Sequence, residues 1–510
     1  MHDPSRYRRL NAMPDLELLT PGDLALRPGR GVRSPWLRDA LEAEGHPAPL
    51  LGPAGDLDCD VAIVGGGYTG MWTAYQLKRR APELRIVIVE QDICGGGPSG
   101  RNGGFVNAWW DELDALVDLH GTERALACAR AVSESVEAIG AWCVEHDVDA
   151  HYRHAGMLVV STTPAHDDRP MASVATAASV GASEEFVAMT DDEVRARCDS
   201  PRFRGGAYMR DGATVQPALL ARGLRRVLLD LGVEIHEGTA MTRIHNSRGP
   251  RVRIATTSGG GAREIRAKHL ILALNAWAAG WGPFHRSILA WGSYMVRTEP
   301  IPGRVAELGW TGGESIYDAR FNVDYFHVTR DGRIAIGSGG GRPGYGGRID
   351  EVFTDDVASA RRAAAAFRFL FPQLADVRLT DAWGGPIDVS ADHLPRFGSL
   401  PGGRTHYALG FSGNGVAPSH LAGRVLAALA LESDEPITRL ALVGPPPRRL
   451  PPEPFRYAGA RFIRSAIMRR EAAEMAGGRS SWLLRQLTAL PRRLGYHLGP
   501  TAGGPGQTPQ

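Results

Sequence analysis

The stretch DVAIVGGGYTG, residues 60–70, constrains this chain more than any other. An apolar, β-branched run ends at Val64. Gly65, Gly67 and Gly70 then fall at G-x-G-x-x-G spacing before a segment of helical composition, Tyr68–Arg80. Gly65 permits a tight turn, Gly67 lets a diphosphate approach the backbone, and Gly70 allows close helix–sheet packing. The helix start then offers free N–H groups and a partial positive charge to that diphosphate. A second apolar run, Arg85–Glu90 (RIVIVE), completes a strand–turn–helix–strand unit, which implies a parallel sheet. Glu90 ends that strand, where an acid accepts ribose hydroxyls. An adenine dinucleotide with free ribose hydroxyls, NAD or FAD, is expected.

A second glycine-rich string, GGGPSGRNGGF at 95–105, follows the second strand. An NAD enzyme has no use for it. A flavin enzyme does, because its cofactor must be held by its ring as well as its diphosphate. Ser99-Gly100-Arg101-Asn102-Gly103-Gly104 resembles the S-G-R-N-G-G signature of the D-amino-acid oxidase and glycine oxidase-like family of FAD-dependent enzymes, which act on amines and amino acids. The resemblance implies that this loop runs under the ribityl chain and beside the isoalloxazine.

A third element, GFSGNGVAPSHLAGRVLAALAL at 410–431, is a strand running into Gly413-Asn414-Gly415 and then a helix. It resembles the family's C-terminal flavin motif. Its helix N-terminus would stabilise negative charge on the reduced flavin by about 0.3–2 kcal/mol. The resemblance spans roughly residues 58–476 and includes LILALNAWA and WGGPIDVSADHLPRFG. It is strongest to the branch that holds γ-glutamylputrescine oxidases and aminophosphonate oxidoreductases. Two departures are Gly97-Pro98 before the SGRN string and Leu274 in the segment near the dinucleotide. The residues so assigned to FAD are Gly65, Gly67, Tyr68, Thr69, Gly70, Glu90, Gln91, Ser99, Gly100, Arg101, Asn102, Gly103, Gly104, Asn275, Gly413, Asn414, Gly415 and Val416. The family sometimes tethers flavin through cysteine or histidine. No cysteine follows Cys198 and no histidine lies between 91 and 119, so bound, non-covalent FAD is expected.

The expected fold is α/β, a Rossmann-like FAD-binding domain with a discontinuous substrate domain on a mixed or antiparallel sheet. Residues 1–58 read as an N-terminal arm. Residues 59–150, 211–284 and 379–440 read as the FAD-binding domain, and 151–210 and 285–378 as the substrate domain. Thr190 and Glu193 have capping-box spacing, and Asp331-Gly332 marks the turn of a hairpin over 325–338. Residues 441–498 form a basic helical extension, and 499–510 a Gly/Pro/Thr tail expected to be disordered.

The net charge is only +2, with Lys78 and Lys268 the only lysines, and no clustered basic stripe suggests nucleic acid. Five cysteines lack any C-x-x-C pair, no 18-residue apolar run occurs, and no secretory signal is seen, so a cytoplasmic protein is expected. Residues 448–493 carry eleven arginines against three glutamates, interleaved with apolar residues. The favoured reading packs this segment's apolar stripe on the FAD domain with its arginines solvated. Contact with an acidic membrane surface is the alternative.

Flavin amine oxidation needs position and desolvation more than acid–base side chains. The absence of a catalytic triad or metal cluster is therefore in keeping, and no catalytic residue or metal ligand is assigned. Oxygen is the expected acceptor. A dehydrogenase feeding a carrier or quinone, or a non-catalytic FAD-binding protein, are the alternatives. The small amine or amino acid is expected to meet Asn107, Trp109, Trp110, Tyr325, Asp388 and Arg297, the last as a partner for an anionic group.

Overall fold

The computed structural model describes residues 18–28, 33–53, 55–245 and 251–496. The expected tail and the first part of the arm lie outside them. The first sheet has a parallel centre in the order Thr405–Leu409, Gly261–Leu272, Leu57–Val64, Ile86–Val89 and Glu234–His236. Ile86–Val89 is buried at every position, the continuous apolar run that a strand covered on both faces requires. Antiparallel strands Val252–Ser258 and Ala240–His245 extend the sheet from Gly261–Leu272, and Arg396–Ser399 pairs with Thr405–Leu409. The segment after Leu272 does not continue as strand. It tightens into a short 3-10 helix, Asn275–Gly280.

Helix Tyr68–Arg80 covers this sheet, and helix Val416–Ala430 packs against it so closely that a Cβ on Gly423 would stand 2.6 Å from that of Trp72. The second sheet runs Leu379–Ser390, Ile288–Thr298, Ile334–Ser338, Asp324–Val328, Ser315–Asp318, Met157–Val160, Gly206–Met209 and Phe186–Met189. All its pairs are antiparallel except Ser315–Asp318 with Met157–Val160. A third, small sheet joins Phe105–Asn107, Gly212–Thr214 and Arg153–His154.

Leu379–Ser390, grouped with the FAD-binding domain on sequence, belongs to the second sheet. It pairs with Ile288–Thr298 from Ile288↔Ser390 to Thr298↔Leu379. The capping box at Thr190 forms, and Gly332 takes φ +78° in the hairpin turn.

The C-terminal extension forms two helices, Phe455–Met475 and Trp482–Arg493. The first sits over the second sheet and its loops, not on the first sheet and its helices as expected. Arg464 donates to the carbonyls of Gly340 and Gly341, Glu471 accepts from Asn322, and Arg456 donates to the carbonyls of His285 and Ile288. Arg456 and Arg464 are thus turned inward to satisfy backbone carbonyls, whereas Arg461 and Arg469 are exposed. Among the described residues no helix is long and apolar enough to cross a membrane.

Candidate active site

The first turn is built by close approach. Gly65 has φ +113°, and a Cβ there would stand 2.3 Å from the Ala273 carbonyl. A Cβ on Gly70 would stand 2.0 Å from the Gly65 carbonyl. Gly67, the N-cap of helix Tyr68–Arg80, supplies no side chain. Tyr68 N donates instead to Ser99 Oγ at 2.9 Å, so the second loop caps the helix that the first loop opens. The Glu90 carboxylate accepts from Gly66 N at 2.7 Å and Asp92 N at 2.9 Å. Desolvation pushes Glu90 up to about 7, against the pull of those two amides.

The second loop is held by its own side chains. Asn102 Oδ1 accepts from Gly104 N at 2.7 Å, and its Nδ2 donates to the carbonyls of Pro98 and Ser99 at 3.1 Å each. Arg101 donates to the carbonyls of Gly96 and Gly384, and burial lowers its pKa. The N-terminal arm braces the loop from behind. Ser34 Oγ donates to the Gly100 carbonyl, Trp36 Nε1 to the Asn102 carbonyl at 3.0 Å, and Arg33 pairs with Asp92.

The third turn leaves strand Thr405–Leu409 through Ser412 (φ +55°) and Gly413 (φ +94°) and enters helix Val416–Ala430 at Gly415, with no side-chain cap. Asp388 fixes it. One carboxylate oxygen accepts from Gly410 N at 2.6 Å, the other from Phe411 N and Asn275 Nδ2 at 3.1 Å each. Fully buried, Asp388 is pushed up to about 7 by desolvation, against its backbone donors.

The three turns line one cleft of about 360 Å³. Gly65, Gly67, Tyr68, Thr69, Glu90, Gln91, Ser99, Arg101, Asn102, Asn275, Gly413, Gly415 and Val416 border it, together with Leu274, noted on sequence as a departure, and four apolar residues that the sequence did not flag, Trp277, Trp281, Ile349 and Phe353. Gly70, Gly100 and Gly104 pack against backbone carbonyls at the positions where a Cβ would stand, and do not border the cleft. Gly103 and Asn414 border a neighbouring cavity instead. The cleft suits a long dinucleotide. It contains the uncapped helix start at Gly415, and the buried oxygen of Asn275, Oδ1, has no donor within the protein.

The neighbouring cavity, about 380 Å³, meets the cleft along a seam of Pro98, Arg101, Asn102, Pro386, Ile387, Gly413 and Val416, which border both. Asn107 and Tyr325 border it, and Tyr325 shares a hydrogen bond of 2.7 Å with Ser293. The four other expected residues do not. Asp388 lies on the cofactor side, its carboxylate taken up by amides. Arg297 borders neither cavity, because its charge is already met: it donates to Asp39 at 2.9 Å and Asp381 at 3.2 Å and stacks over Trp36 at 5.2 Å. Trp109 and Trp110 are core residues that border neither cavity. Sequence reasoning missed Asp111, Glu112, Tyr317 and Arg464, which border the second cavity. The signal was there in Trp109-Trp110-Asp111-Glu112, two acids joined to two bulky apolar residues.

A parallel dinucleotide sheet, a mostly antiparallel second sheet and three backbone turns converging on one cleft define a flavin-binding oxidoreductase. The family described as FAD dependent oxidoreductase matches residues 60–429. The chain is 28% identical over 379 residues to gamma-glutamylputrescine oxidoreductase of Escherichia coli K12, covering 73% of this chain and 84% of that one. It is 30% identical over 386 residues to the probable oxidoreductase OrdL of Rhizobium meliloti, covering 74% and 84%. The crystal structure of glycine oxidase from Geobacillus kaustophilus shares the fold, with a TM-score of 0.61 at 22% identity over 76% of this chain and 98% of that one. The chain belongs to the FAD-dependent oxidoreductase family, and FAD is its cofactor.

Proposed function

We propose that this protein oxidises the carbon–nitrogen bond of a small amine or amino acid, with oxygen as the final acceptor. The seam between the two cavities carries this reading. It would set a substrate in the second cavity against the reacting end of a cofactor in the first. FAD, when bound, supplies the two-electron sink for hydride from the carbon next to the nitrogen. Ser99, Arg101 and Asn102 would hold it on one side and the helix start at Gly415–Val416 on the other, with Glu90 toward the ribose. Tyr325, Ser293 and Asn107 orient the substrate, while Leu289, Trp291 and Ile463 exclude water. Hydrolysis of the resulting imine releases an aldehyde or oxo acid and ammonia or an amine. The names of the curated relatives, putrescine-derived and glycine substrates among them, support a nitrogen-bearing substrate.

An anaerobic panel of amines and amino acids, followed by bleaching of the flavin band and then by oxygen uptake, tests this. Bleaching with peroxide formation on readmitting oxygen is expected. Bleaching without oxygen uptake would transfer the role to a dehydrogenase, and a flavin that no amine bleaches would end the reading. Acid precipitation is expected to release all yellow colour from the protein, as non-covalent binding requires.

A further inference from the structure

We infer that Asn107, Asp111 and Glu112 form a receptor for a second, non-reacting ammonium group, so that the preferred substrate carries two protonated nitrogens. This rests on the proposed amine oxidation and deepens it. The three residues border the second cavity and not the cofactor cleft, so none of them belongs to the seam against which oxidation is proposed. They are only 7%, 6% and 6% exposed. Asn107 Oδ1 and Asp111 Oδ1 are buried acceptors with no donor in the protein. Tyr317 supplies a single hydroxyl, to Asp111 Oδ2 at 2.6 Å.

The two arginines that border the same cavity do not balance this wall: Arg101 donates to the carbonyls of Gly96 and Gly384, and Arg464 to those of Gly340 and Gly341. The charges acting on Glu112 are those of Asp111 and Asp114, and burial with those like charges raises it well above the ordinary carboxylate range. Native interiors rarely leave acceptors of this kind unsatisfied, and an acid pair without a cation is costly to bury. A metal ion is the wrong partner, since among the described residues no three histidine, cysteine or carboxylate side chains converge to ligate one. An ammonium group fits: it brings three donors and one positive charge to two orphan acceptors and two acids.

The experiment uses the FAD-loaded enzyme and two matched pairs, hexamethylenediamine against hexylamine and lysine against norleucine. Within each pair only the distal ammonium differs. The wild type is expected to favour the dicationic member in kcat/KM by roughly 10- to 100-fold, chiefly through KM. Asp111→Asn and Glu112→Gln are expected to bring that ratio toward unity, and Glu112→Asp to restore part of it. A purely structural role would lower both members in parallel and keep the ratio, and that result, or a wild type without preference in either pair, overturns the inference. Calorimetric binding of the same compounds separates the two readings. Preferential binding of the dicationic member without oxidation would count against the proposed reaction and for this receptor, whereas oxidation with equal binding of both members would do the reverse. FAD content and melting temperature of each variant identify misfolding. Should an acid variant lose FAD, Asn107→Ala supplies the same ratio test.

Discussion

The cofactor cleft and the second cavity lie side by side but are assembled differently. Three local turns shape the first, at Gly65–Gly70, Ser99–Gly104 and Gly413–Val416, locked by Ser99, Asn102 and Asp388. The second gathers the side chains of Asn107, Asp111, Tyr317, Tyr325 and Arg464, which are distant in sequence and come from several layers. A close backbone approach tolerates almost no residue but glycine, so the cleft is stiff and intolerant. A side-chain wall can be altered one residue at a time, so the cavity is adjustable.

The most severe break should come from the cleft. Gly65→Ala would force a Cβ toward the Ala273 carbonyl at φ +113°. A loss of about 3 kcal/mol or more is expected, with protein purified largely free of FAD. Melting temperature and absorbance-based FAD stoichiometry check this.

Arg297→Gln tests whether that arginine belongs to the binding site. Removing it takes the cation from Asp39 and leaves Asp381 with Arg38 alone. A stability loss of about 2 kcal/mol is expected, with substrate KM shifted less than about twofold. A large KM effect with normal melting would return Arg297 to the site.

Ser34→Ala removes the cap of helix Pro35–Ala43, a bond from Leu37 N at 3.1 Å, and the bond to the Gly100 carbonyl. About 1 kcal/mol should be lost, together with weaker FAD retention on dilution. Retention equal to wild type would show that the arm supports the fold only.

The smallest effect concerns pH. Asp111 and Asp114 are raised to about 6, and Glu112 well above its ordinary value, mainly by desolvation. The folded state therefore holds protons that the unfolded state releases near pH 4, and substrate-free stability should fall as pH rises from about 4 through 6 and beyond. Glu112→Gln should flatten that fall and raise the melting temperature slightly at neutral pH. A variant less stable than wild type at pH 8 would contradict this sign.

The same contrast explains what the sequence disclosed. Gly65, Glu90, the SGRN string and Gly413 announced the cleft because each answers a local backbone demand at fixed spacing. Asn107 was found by its place just after the second loop, and Tyr325 by its place on the hairpin of the expected substrate sheet. Arg297 and Asp388 were misplaced because their partners, Asp39 and Asp381 for one and the amides of Gly410 and Phe411 for the other, are known only once the chain has folded. Strand Leu379–Ser390 was assigned to the wrong layer for a related reason: it adjoins the third flavin turn in sequence, but its ladder partner lies about 90 residues earlier. Asp111 and Glu112 passed unnoticed because acids usually mark solvent, and only the cavity shows these two turned inward.

The helix Phe455–Met475 begins after the family-matched region ends at residue 429, yet its Ala460, Ile463, Arg464 and Ile467 wall the substrate cavity. One wall of that cavity is therefore set by a segment beyond the family-matched region. Exchanging that segment offers an engineer a way to reshape the cavity while leaving the three flavin turns untouched.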